Sequence, residues 1–447
     1  MSAPFTNAHA HIFTSNHAPD YFLETVIKND TLARWAKKLL QKDGTRWAIK
    51  GILKAVGFFS AKNRQIINRY LEFVKIGTSV NQAKIFENIS RAYAQFPGHR
   101  IIVLTQVLDY LDLQDTKSHH LRIRSQVEEV ANIKKNALYQ NHINPFLGVD
   151  PRQTGFDLLK DWVQKYLSPD EGFCGIKLYP AAGFFPFDKR LYPMYKWAEE
   201  NDIPIMTHAT RSGSFYLGSF DSILNTGILA LTDLDPNDPL HAKILDRVQK
   251  LVAGKSWHKK NEVWCNIFGH PENYEVVLKD FPKLKICLAH LGGGDEVTRS
   301  VKNEVNKKFP DFLQDNWYTL ILQLMQKHPN VYSDISYTLA DDKAMEVIVK
   351  YFATNPIDKF QVPLIQKLLY GTDFYLTQVE LKGDEINLQQ SFLKCFTDPK
   401  MARTVAYDSP DRYLTSKINP PDPPPPPVVE AAPLAIPGGA TNPTTNP

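Results

Sequence analysis

The sequence predicts an α/β protein built on a (β/α)8 TIM barrel, with a helical insertion after strand 1 and a disordered, proline-rich C-terminal tail. Three observations predict this class. Eight short apolar runs rich in β-branched residues occur before residue 376, amphipathic patterns separate several of them, and prolines dominate the last segment. Strands that alternate with helices form parallel sheets, and eight such strands close into a barrel.

The strands are predicted from apolar runs of ordinary strand length that end in loop-like sequence. In chain order they cover residues 4–13, 100–109, 143–150, 172–180, 203–210, 284–292, 330–337 and 367–375. Amphipathic helices are predicted at 192–203 and 273–284, where they serve as crossovers between parallel strands. We therefore assign residues 1–417 to the barrel domain.

Two segments are too long for simple crossovers. Residues 17–99 are largely helical in pattern and rather basic, and residues 211–270 separate the fifth and sixth strands. An amphipathic membrane helix is one alternative for 17–99, but its apolar residues favour a helical insertion packed on the barrel.

The C-terminal segment, 418–447, is rich in proline and has no aromatic residue. Such a composition cannot form a packed core, so we predict a disordered tail. A solubilising role is the simpler interpretation, and a docking site for a partner protein is the alternative.

Composition limits the classes of partner. The 447 residues carry 52 Lys and Arg against 48 Asp and Glu, an excess too small to indicate nucleic-acid binding. No apolar run is long enough to span a bilayer, and four separated cysteines favour a reducing compartment. The first residues do not resemble a signal peptide. We expect a cytoplasmic protein that acts on a small-molecule substrate and binds neither nucleic acid nor a membrane. Both a monomer and a homo-oligomer are compatible with the sequence.

Ionisable residues close several of the predicted strands. They are His9 and His11 on strand 1, Lys177 on strand 4, His208 on strand 5, His290 on strand 6 and Asp373 on strand 8. The active site of such a barrel lies where the strands end. Because strand side chains alternate faces, His9 and His11 point the same way, as two ligands of one metal must. This set of nitrogen and oxygen donors suits Zn2+.

Each of these residues also has a purely structural interpretation. The H-x-H pair alone is a weak motif, His208 could be a hydrogen-bonded core residue, and His290 could cap the following glycine-rich turn. Asp373 could be a helix N-cap, and Lys177 could pair with a nearby carboxylate. The metal-site prediction depends on their joint occurrence, because ionisable residues are scarce in buried strands.

The pattern resembles the amidohydrolase superfamily, in particular the amidohydrolase-related group that includes aminocarboxymuconate-semialdehyde decarboxylase-like enzymes. The stretches that carry the resemblance occur in the family's order from residue 7 to residue 375: NAHAHIF, GIKLYP, IPIMTHAT, HPENYEVVLKDFPKLKICLAHLGG, NVYSDISY and LLYGTDFY. The segment before and through the sixth strand is the most specific of them. A degenerate form of the family's last helix motif, YDSPDRYL, follows at 407–414.

The resemblance implies a role for each strand-end residue. His9, His11 and His208 would bind one divalent metal, with zinc expected, and Asp373 would be a further ligand and the general base. His290 would bind a second metal or polarise the substrate. Lys177 matches the position of a carboxylated lysine that bridges two metals in binuclear members, which favours hydrolysis over decarboxylation. One or two ions are therefore compatible with the sequence.

The same residues suggest the chemistry without the family name. Zn2+ lowers the pKa of a bound water from about 15.7 to about 7, and a nearby carboxylate can take the proton during attack. The metal or His290 can offset charge that develops on the substrate oxygen. Tyr179 and Arg211, which follow site residues, are predicted to bind substrate. Arg211 could pair with a substrate carboxylate, and a surface salt bridge is the equal alternative.

Three functions compete at this point. A metal-dependent hydrolase of a C–N or C–O bond is the leading hypothesis. The alternative is a metal-dependent, non-oxidative decarboxylase of an aromatic or unsaturated carboxylic acid. The third is a barrel without catalysis that acts as a binding module, with the proline-rich tail recruiting a partner.

Overall fold

Eight strands form one parallel sheet in chain order, with neighbours β1 to β8 paired in sequence. The computed structural model describes residues 3–17, 81–109, 116–153, 155–211, 213, 216–218, 232–254, 261–374 and 384–418. The strands are β1 Thr6–Ala10, β2 Arg100–Leu104, β3 Ile143–Val149, β4 Gly175–Leu178, β5 Ile205–Thr210, β6 Ile286–Gly292, β7 Val331–Asp334 and β8 Leu368–Leu369. The predicted (β/α)8 barrel is confirmed.

The barrel is closed between β1 and the chain that follows β8. The backbone N–H of Ala8 donates to the carbonyl of Tyr370 at 2.8 Å, and Ala10 pairs in parallel with Phe374. Parallel closure brings the carboxyl ends of all eight strands to one face, where active sites of this architecture lie.

Helices surround the sheet. The α-helices of the described residues are α1 Gln82–Ala92, α2 Thr116–Lys135, α3 Tyr192–Glu200, α4 Pro239–Ala253, α5 Asn261–Phe268, α6 Asn273–Asp280, α7 Gly294–Lys302, α8 Trp317–Lys327, α9 Asp342–Ala353, α10 Glu385–Cys395, α11 Pro399–Arg403 and α12 Ser409–Leu414, and π-helices cover Leu158–Gln164 and Thr404–Asp408. Asp238, Asn316 and Asp341 cap the starts of α4, α8 and α9 with side-chain hydrogen bonds to backbone N–H groups. The helices predicted at 192–203 and 273–284 correspond to α3 and α6.

The apolar residues form two clusters. The larger lies between the sheet and the surrounding helices, and the smaller fills the barrel. The inner cluster contains Ile102, Phe146, Met206, Cys287, Tyr332 and Leu369, among others from the alternate positions of their strands. A filled interior leaves the strand ends as the place for polar side chains.

The last helix covers the amino-terminal end of the barrel. Tyr413 and Leu414 of α12 belong to the inner cluster. Asp411 accepts a hydrogen bond at 2.8 Å from Arg100, which begins β2. This leaves the opposite, carboxyl-terminal end of the barrel for the polar strand-end residues.

The predicted strands are all longer than the observed ones, and the difference matters most for β1 and β8. β1 ends at Ala10 rather than near residue 13, and β8 contains Leu368 and Leu369 alone. Asp373 therefore lies beyond β8, in a non-strand segment, with a left-handed backbone (φ 57°). Alternation along a strand therefore does not apply to Asp373.

The predicted insertions are only partly described. Of 17–99, residues 81–99 contain α1, and residues 18–80 lie outside the described residues, as do 419–447 of the predicted tail. Of 211–270, α4 and α5 are described. No helix in the described part of the chain combines the length and apolar character needed to cross a membrane.

Candidate metal centre

The two histidines of the H-x-H motif are buried and oriented by hydrogen bonds through Nδ1. Nδ1 of His9 lies 3.0 Å from Oδ2 of Asp334, and Nδ1 of His11 lies 3.1 Å from the carbonyl oxygen of Leu104. Because both partners accept, each imidazole carries its proton on Nδ1 and presents the lone pair of Nε2. This tautomer leaves Nε2 available to a metal.

The two lone pairs converge on one carboxylate. Nε2 of His9 and Nε2 of His11 each lie 3.5 Å from Oδ1 of Asp373. Zinc bonds of about 2.0–2.1 Å would place tetrahedral ligand atoms roughly 3.3–3.4 Å apart. The three side chains therefore have nearly the spacing of three ligands of one ion, and they form one of the candidate metal-ligand groups among the described residues.

Burial keeps these imidazoles neutral. It lowers the pKa of His11 to about 3, with a smaller contribution from the charge of Lys177, and it lowers the pKa of His9 well below its usual value. Nε2 of His9 makes no hydrogen bond in the described part of the structure. A buried, neutral imidazole nitrogen beside a carboxylate fits a divalent metal ion well.

A second candidate group adjoins the first through His9. It contains His9, His290 and Asp334. Oδ1 of Asp334 accepts the backbone N–H of His290 at 3.0 Å, and the rings of His9 and His290 have centroids 4.7 Å apart. Oγ of Ser336 lies 3.0 Å from Nδ1 of His9 and 2.9 Å from Nδ1 of His290. Asp334 and Ser336 thus support both histidines.

Asp334 and Ser336 were missed in the sequence. Asp334 closes β7, as the other site residues close their strands, and Ser336 follows it by two positions. The rule that polar residues at strand ends build the site would have found Asp334. Nothing in the sequence distinguishes Ser336 from other loop serines.

His208 lies beside His290. Its Nδ1 is 3.2 Å from Nε2 of His290, and its ring stacks on Tyr179 with centroids 4.5 Å apart. The groups whose ligand atoms lie within 4.8 Å of one another do not include His208 in the described residues. Its predicted role as a ligand beside His9 and His11 stays a prediction, and so does substrate binding by Tyr179.

Lys177 brings a buried amine to the same site. It is 2 % exposed, and its Nζ has no hydrogen-bond partner among the described residues. Burial lowers the pKa of Lys177 to about 8, against the opposing charges of Asp334 and Asp373. The amine therefore lies close enough to both candidate ligand groups to interact with their charges.

Irregular backbone aims several of these side chains. The pairing of β1 with β2 shifts register between Asn7 and Ala10, so Ala8 lies in the inner cluster while the adjacent His9 also points into the site. His290 follows the inner residue Ala289 and has a left-handed φ of 68°. A β-bulge or a left-handed residue turns a side chain out of regular alternation, and both are common at active sites.

Gly371 is required by close packing rather than by its own conformation. A Cβ atom at this position would lie 2.9 Å from Cβ of His9 and 3.1 Å from Cβ of Ser336. Glycine therefore permits the chain after β8 to approach β1 closely, which brings Asp373 to the two histidines.

Arg211 is surrounded by protein groups. Its guanidinium donates to Oδ1 of Asn266 at 2.8 Å and to the carbonyl of Asp315, and its Nε lies 3.3 Å from Oε1 of Glu296. It also lies over the ring of Trp317, at 4.7 Å from the centroid. The pairing is buried rather than at the surface, and the predicted contact with a substrate carboxylate stays a prediction.

A third group, His270, Glu272 and Asp315, also has the spacing of metal ligands. A protein cation, the guanidinium of Arg247, already neutralises its carboxylates. Arg247 donates to Asp315 at 3.0 Å and also to Glu272. Nδ1 of His270 accepts the backbone N–H of Glu272 at 3.3 Å, so its proton lies on Nε2, which faces Asp315 at 3.6 Å. An ion-pair network accounts for this group.

The site is thus a buried cluster of histidines and carboxylates at the carboxyl end of a (β/α)8 barrel. The family model described as Amidohydrolase matches residues 147–414, which is more than half of the chain. The chain belongs to the amidohydrolase family, as the sequence motifs predicted, and this membership supports an enzymatic role. No curated protein matches the chain.

Solved structures with a similar fold have low sequence identity. A probable 2-pyrone-4,6-dicarboxylic acid hydrolase from Acinetobacter baumannii is 10% identical, with a TM-score of 0.46 and coverage of 92% of this chain and 99% of that one. A 4-oxalomesaconate hydratase from Rhodopseudomonas palustris is 13% identical, with a TM-score of 0.42 and coverage of 92% and 95%. An IDCase from Metarhizium anisopliae is 11% identical, with a TM-score of 0.44 and coverage of 92% and 97%.

Proposed function

We propose that this protein is a metal-dependent hydrolase that cleaves a C–N or C–O bond of a small molecule. The observation that carries the proposal is the convergence of two neutral imidazole nitrogens, from His9 and His11, on Oδ1 of Asp373 at 3.5 Å each. Family membership supports an enzyme of this kind. His9, His11 and Asp373 would hold the ion, with His208 as a further ligand.

A divalent ion such as Zn2+ supplies Lewis acidity and lowers the pKa of water toward about 7. Asp373 is the general base in this proposal, since its carboxylate lies beside both ligand nitrogens and can accept a proton from the attacking water. The Nδ1 of His290 faces the carbonyl oxygen of Ser336, so the lone pair of Nε2 would be available to a second ion, and the first ion would offset negative charge on the substrate oxygen. In this proposal β1 and β6 supply ligands for metal ions, and the segment after β8 supplies both a ligand and the base.

Lys177 supports a second ion. Burial lowers the pKa of Lys177 to about 8, so a neutral amine is available near neutral pH, and it can add to CO2 with loss of a proton to give a carbamate. A carbamate on Lys177 would add oxygen ligands for a second ion. His290 and Asp334 would then contribute to the second site.

The proposal is tested by metal analysis and by Asp373→Asn. Protein prepared without chelator is expected to contain at least one equivalent of Zn, Mn or Fe. Asp373→Asn keeps the side-chain shape but removes the base, and should lower kcat about 100- to 10,000-fold on any substrate that the wild type turns over. Asp295→Asn, an exposed carboxylate near the amino end of α7, is the matched control and should retain full activity.

Two results would contradict the hydrolase. One is less than half an equivalent of metal that reconstitution does not increase. The other is unchanged turnover in Asp373→Asn.

Decarboxylation of an aromatic or unsaturated acid is the second candidate. The family pattern at Lys177 favours hydrolysis, but a protonated Lys177 could bind the carboxylate of such an acid. At pH 7 most of this amine is protonated, and a buried cation can hold a substrate carboxylate. Release of CO2 without consumption of water would separate this reaction from hydrolysis. Incorporation of 18O from labelled water into the product would favour the hydrolase.

The proposal includes a cytoplasmic location. The four cysteines form no disulfide, and three of them are buried, as is usual in a reducing compartment. A small-molecule substrate, without nucleic acid or membrane as partner, completes the proposal. A docking partner for the proline-rich tail and a homo-oligomeric state stay open.

A further inference from the structure

Beside the candidate ligands lies a fully buried amide that touches both chain segments on which they stand. Asn7 is on β1, two residues before His9, and is 0% exposed. Its Oδ1 accepts the backbone N–H of His9 at 3.1 Å and the backbone N–H of Thr372 at 3.2 Å. One oxygen atom thus joins the strand of the H-x-H motif to the residue before Asp373, which is 365 positions from Asn7 along the chain.

The amide nitrogen of Asn7 is engaged on the same side. Nδ2 donates to Oγ1 of Thr372 at 2.8 Å and to Oη of Tyr93 at 3.0 Å, and lies 3.5 Å from Oε2 of Glu385. Oη of Tyr93 in turn donates to Oε2 of Glu385 at 2.7 Å. An amide has two N–H donors and two acceptor lone pairs, and all four are used here.

This arrangement holds two irregular pieces of backbone. The register of β1 shifts just after Asn7, and Asp373 has a left-handed φ of 57°. A non-glycine residue in that conformation is strained and persists only where its surroundings determine it. The backbone N–H of Thr372 donates to Oδ1 of Asn7, and the backbone N–H of Asp373 donates to the carbonyl of His9 at 2.9 Å. Both irregular segments are therefore fixed against each other.

We propose that Asn7 is a positioning residue for the candidate metal centre. It sets the separation between the imidazoles of β1 and the carboxylate of Asp373, and thereby the affinity and geometry of the ion that they hold. Glu385 and Tyr93 anchor the amide from outside the barrel, at the start of α10 and just after α1. This inference rests on the proposed function, since it concerns the same metal centre.

The experiment uses Co2+ as the probe, because its visible absorption reports coordination geometry independently of turnover. Full-length protein is freed of metal with a chelator, titrated with Co2+ in competition with a chromophoric chelator, and its visible spectrum is recorded. Asn7→Leu, which has similar volume but no hydrogen bonds, should weaken Co2+ affinity about 10- to 100-fold and change the spectrum.

Two further variants make the result specific. Thr6→Val is the matched control: Thr6 is buried on the same strand, but its hydroxyl contacts Pro4 and Arg100 and not the ligand segments, so affinity should stay within about twofold and the spectrum should not change. Thr372→Val removes the hydroxyl bonded to Asn7 and should weaken binding by a smaller factor. It decides the question if Asn7→Leu does not fold.

The possible failures are distinguishable. Wild-type protein that binds no Co2+ overturns the proposed function and this inference with it. Wild-type binding together with wild-type affinity and spectrum in Asn7→Leu overturns the positioning role alone. If Asn7→Leu does not fold, wild-type affinity and spectrum in Thr372→Val has the same consequence.

Discussion

At the scale of single residues, the state of His9 is set by a carboxylate 325 positions away. Asp334 holds Nδ1 of His9 at 3.0 Å and also accepts the backbone N–H of His290. Its charge favours the Nδ1–H tautomer, which leaves Nε2 to face Asp373. The H-x-H motif predicted two ligands, but their protonation and direction depend on residues of β2 and β7.

A prediction at this scale concerns Lys177. If its carbamate bridges two ions, Lys177→Met should reduce the metal content of CO2-saturated protein from about two equivalents to about one, because a thioether cannot form a carbamate. Metal content is measured by elemental analysis after gel filtration.

Lys285→Met is the matched control for Lys177→Met. Lys285 is another buried lysine, 9% exposed, with a pKa lowered to about 8 by burial, but it precedes β6 and bonds to the carbonyl of Thr415 at the opposite end of the barrel. Its replacement should leave the stoichiometry unchanged. An equal metal content in wild type and Lys177→Met would rule out a bridging lysine.

At the scale of elements, the site depends on departures from regular strands. β1 shifts register, β8 stops four residues before Asp373, and His290 leaves the alternation of β6. Strand positions follow from apolar periodicity, so all eight strands were predicted. Bulges and left-handed residues depend on partners distant in sequence, such as Asn7 with Thr372. Apolar periodicity therefore does not predict where they occur.

A second prediction concerns the contact between α6 and α8. Glu275 of α6 accepts from Nε2 of His328 at 2.9 Å and from Lys327. Burial alone would raise the pKa of Glu275, but these two hydrogen bonds outweigh it and lower the pKa to about 2. The folded state therefore binds a proton less readily than the unfolded chain, with its pKa of 4.5. The stabilisation is complete above pH 4.5 and is lost as the pH falls toward 2.

Urea unfolding of wild type and Glu275→Gln measures this effect. At pH 6 we expect the variant to be less stable by on the order of 1–2 kcal/mol, after solvent screening of the half-exposed Lys327, and we expect the difference to shrink at pH 3.5. Asp246→Asn, which removes a surface ion pair within α4, should show no comparable dependence on pH. A difference that stays constant between the two pH values would refute the assignment.

At the scale of the whole molecule, the barrel collects residues from distant parts of the chain. Parallel closure places the carboxyl ends of β1, β4, β5, β6 and β7 at one face, while α12 covers the other end with Tyr413 and Leu414. We therefore expect α12 to be needed for stability of the barrel and residues 419–447 not to be needed.

A third prediction tests that division by truncation. Removal of 419–447 should leave the thermal midpoint and turnover unchanged, because its proline-rich composition cannot add to a packed core. Removal of 409–447 also deletes α12 and exposes the inner cluster, so the protein should lose cooperative unfolding. Differential scanning calorimetry distinguishes the two. A large drop in midpoint for the shorter truncation would show that the tail stabilises the barrel.

The sequence by itself determined the barrel, the order of its strands and the ionisable residues that end them, since apolar periodicity and strand-end position are local properties of the chain. Only the tertiary structure decided which of those residues meet. It brought His9, His11 and Asp373 together, placed His208 against His290, engaged Arg211 with Asn266, Glu296 and Asp315, and added Asp334, Ser336 and Asn7. Hydrogen bonds between residues hundreds of positions apart arise from closure of the barrel, and no local pattern records them.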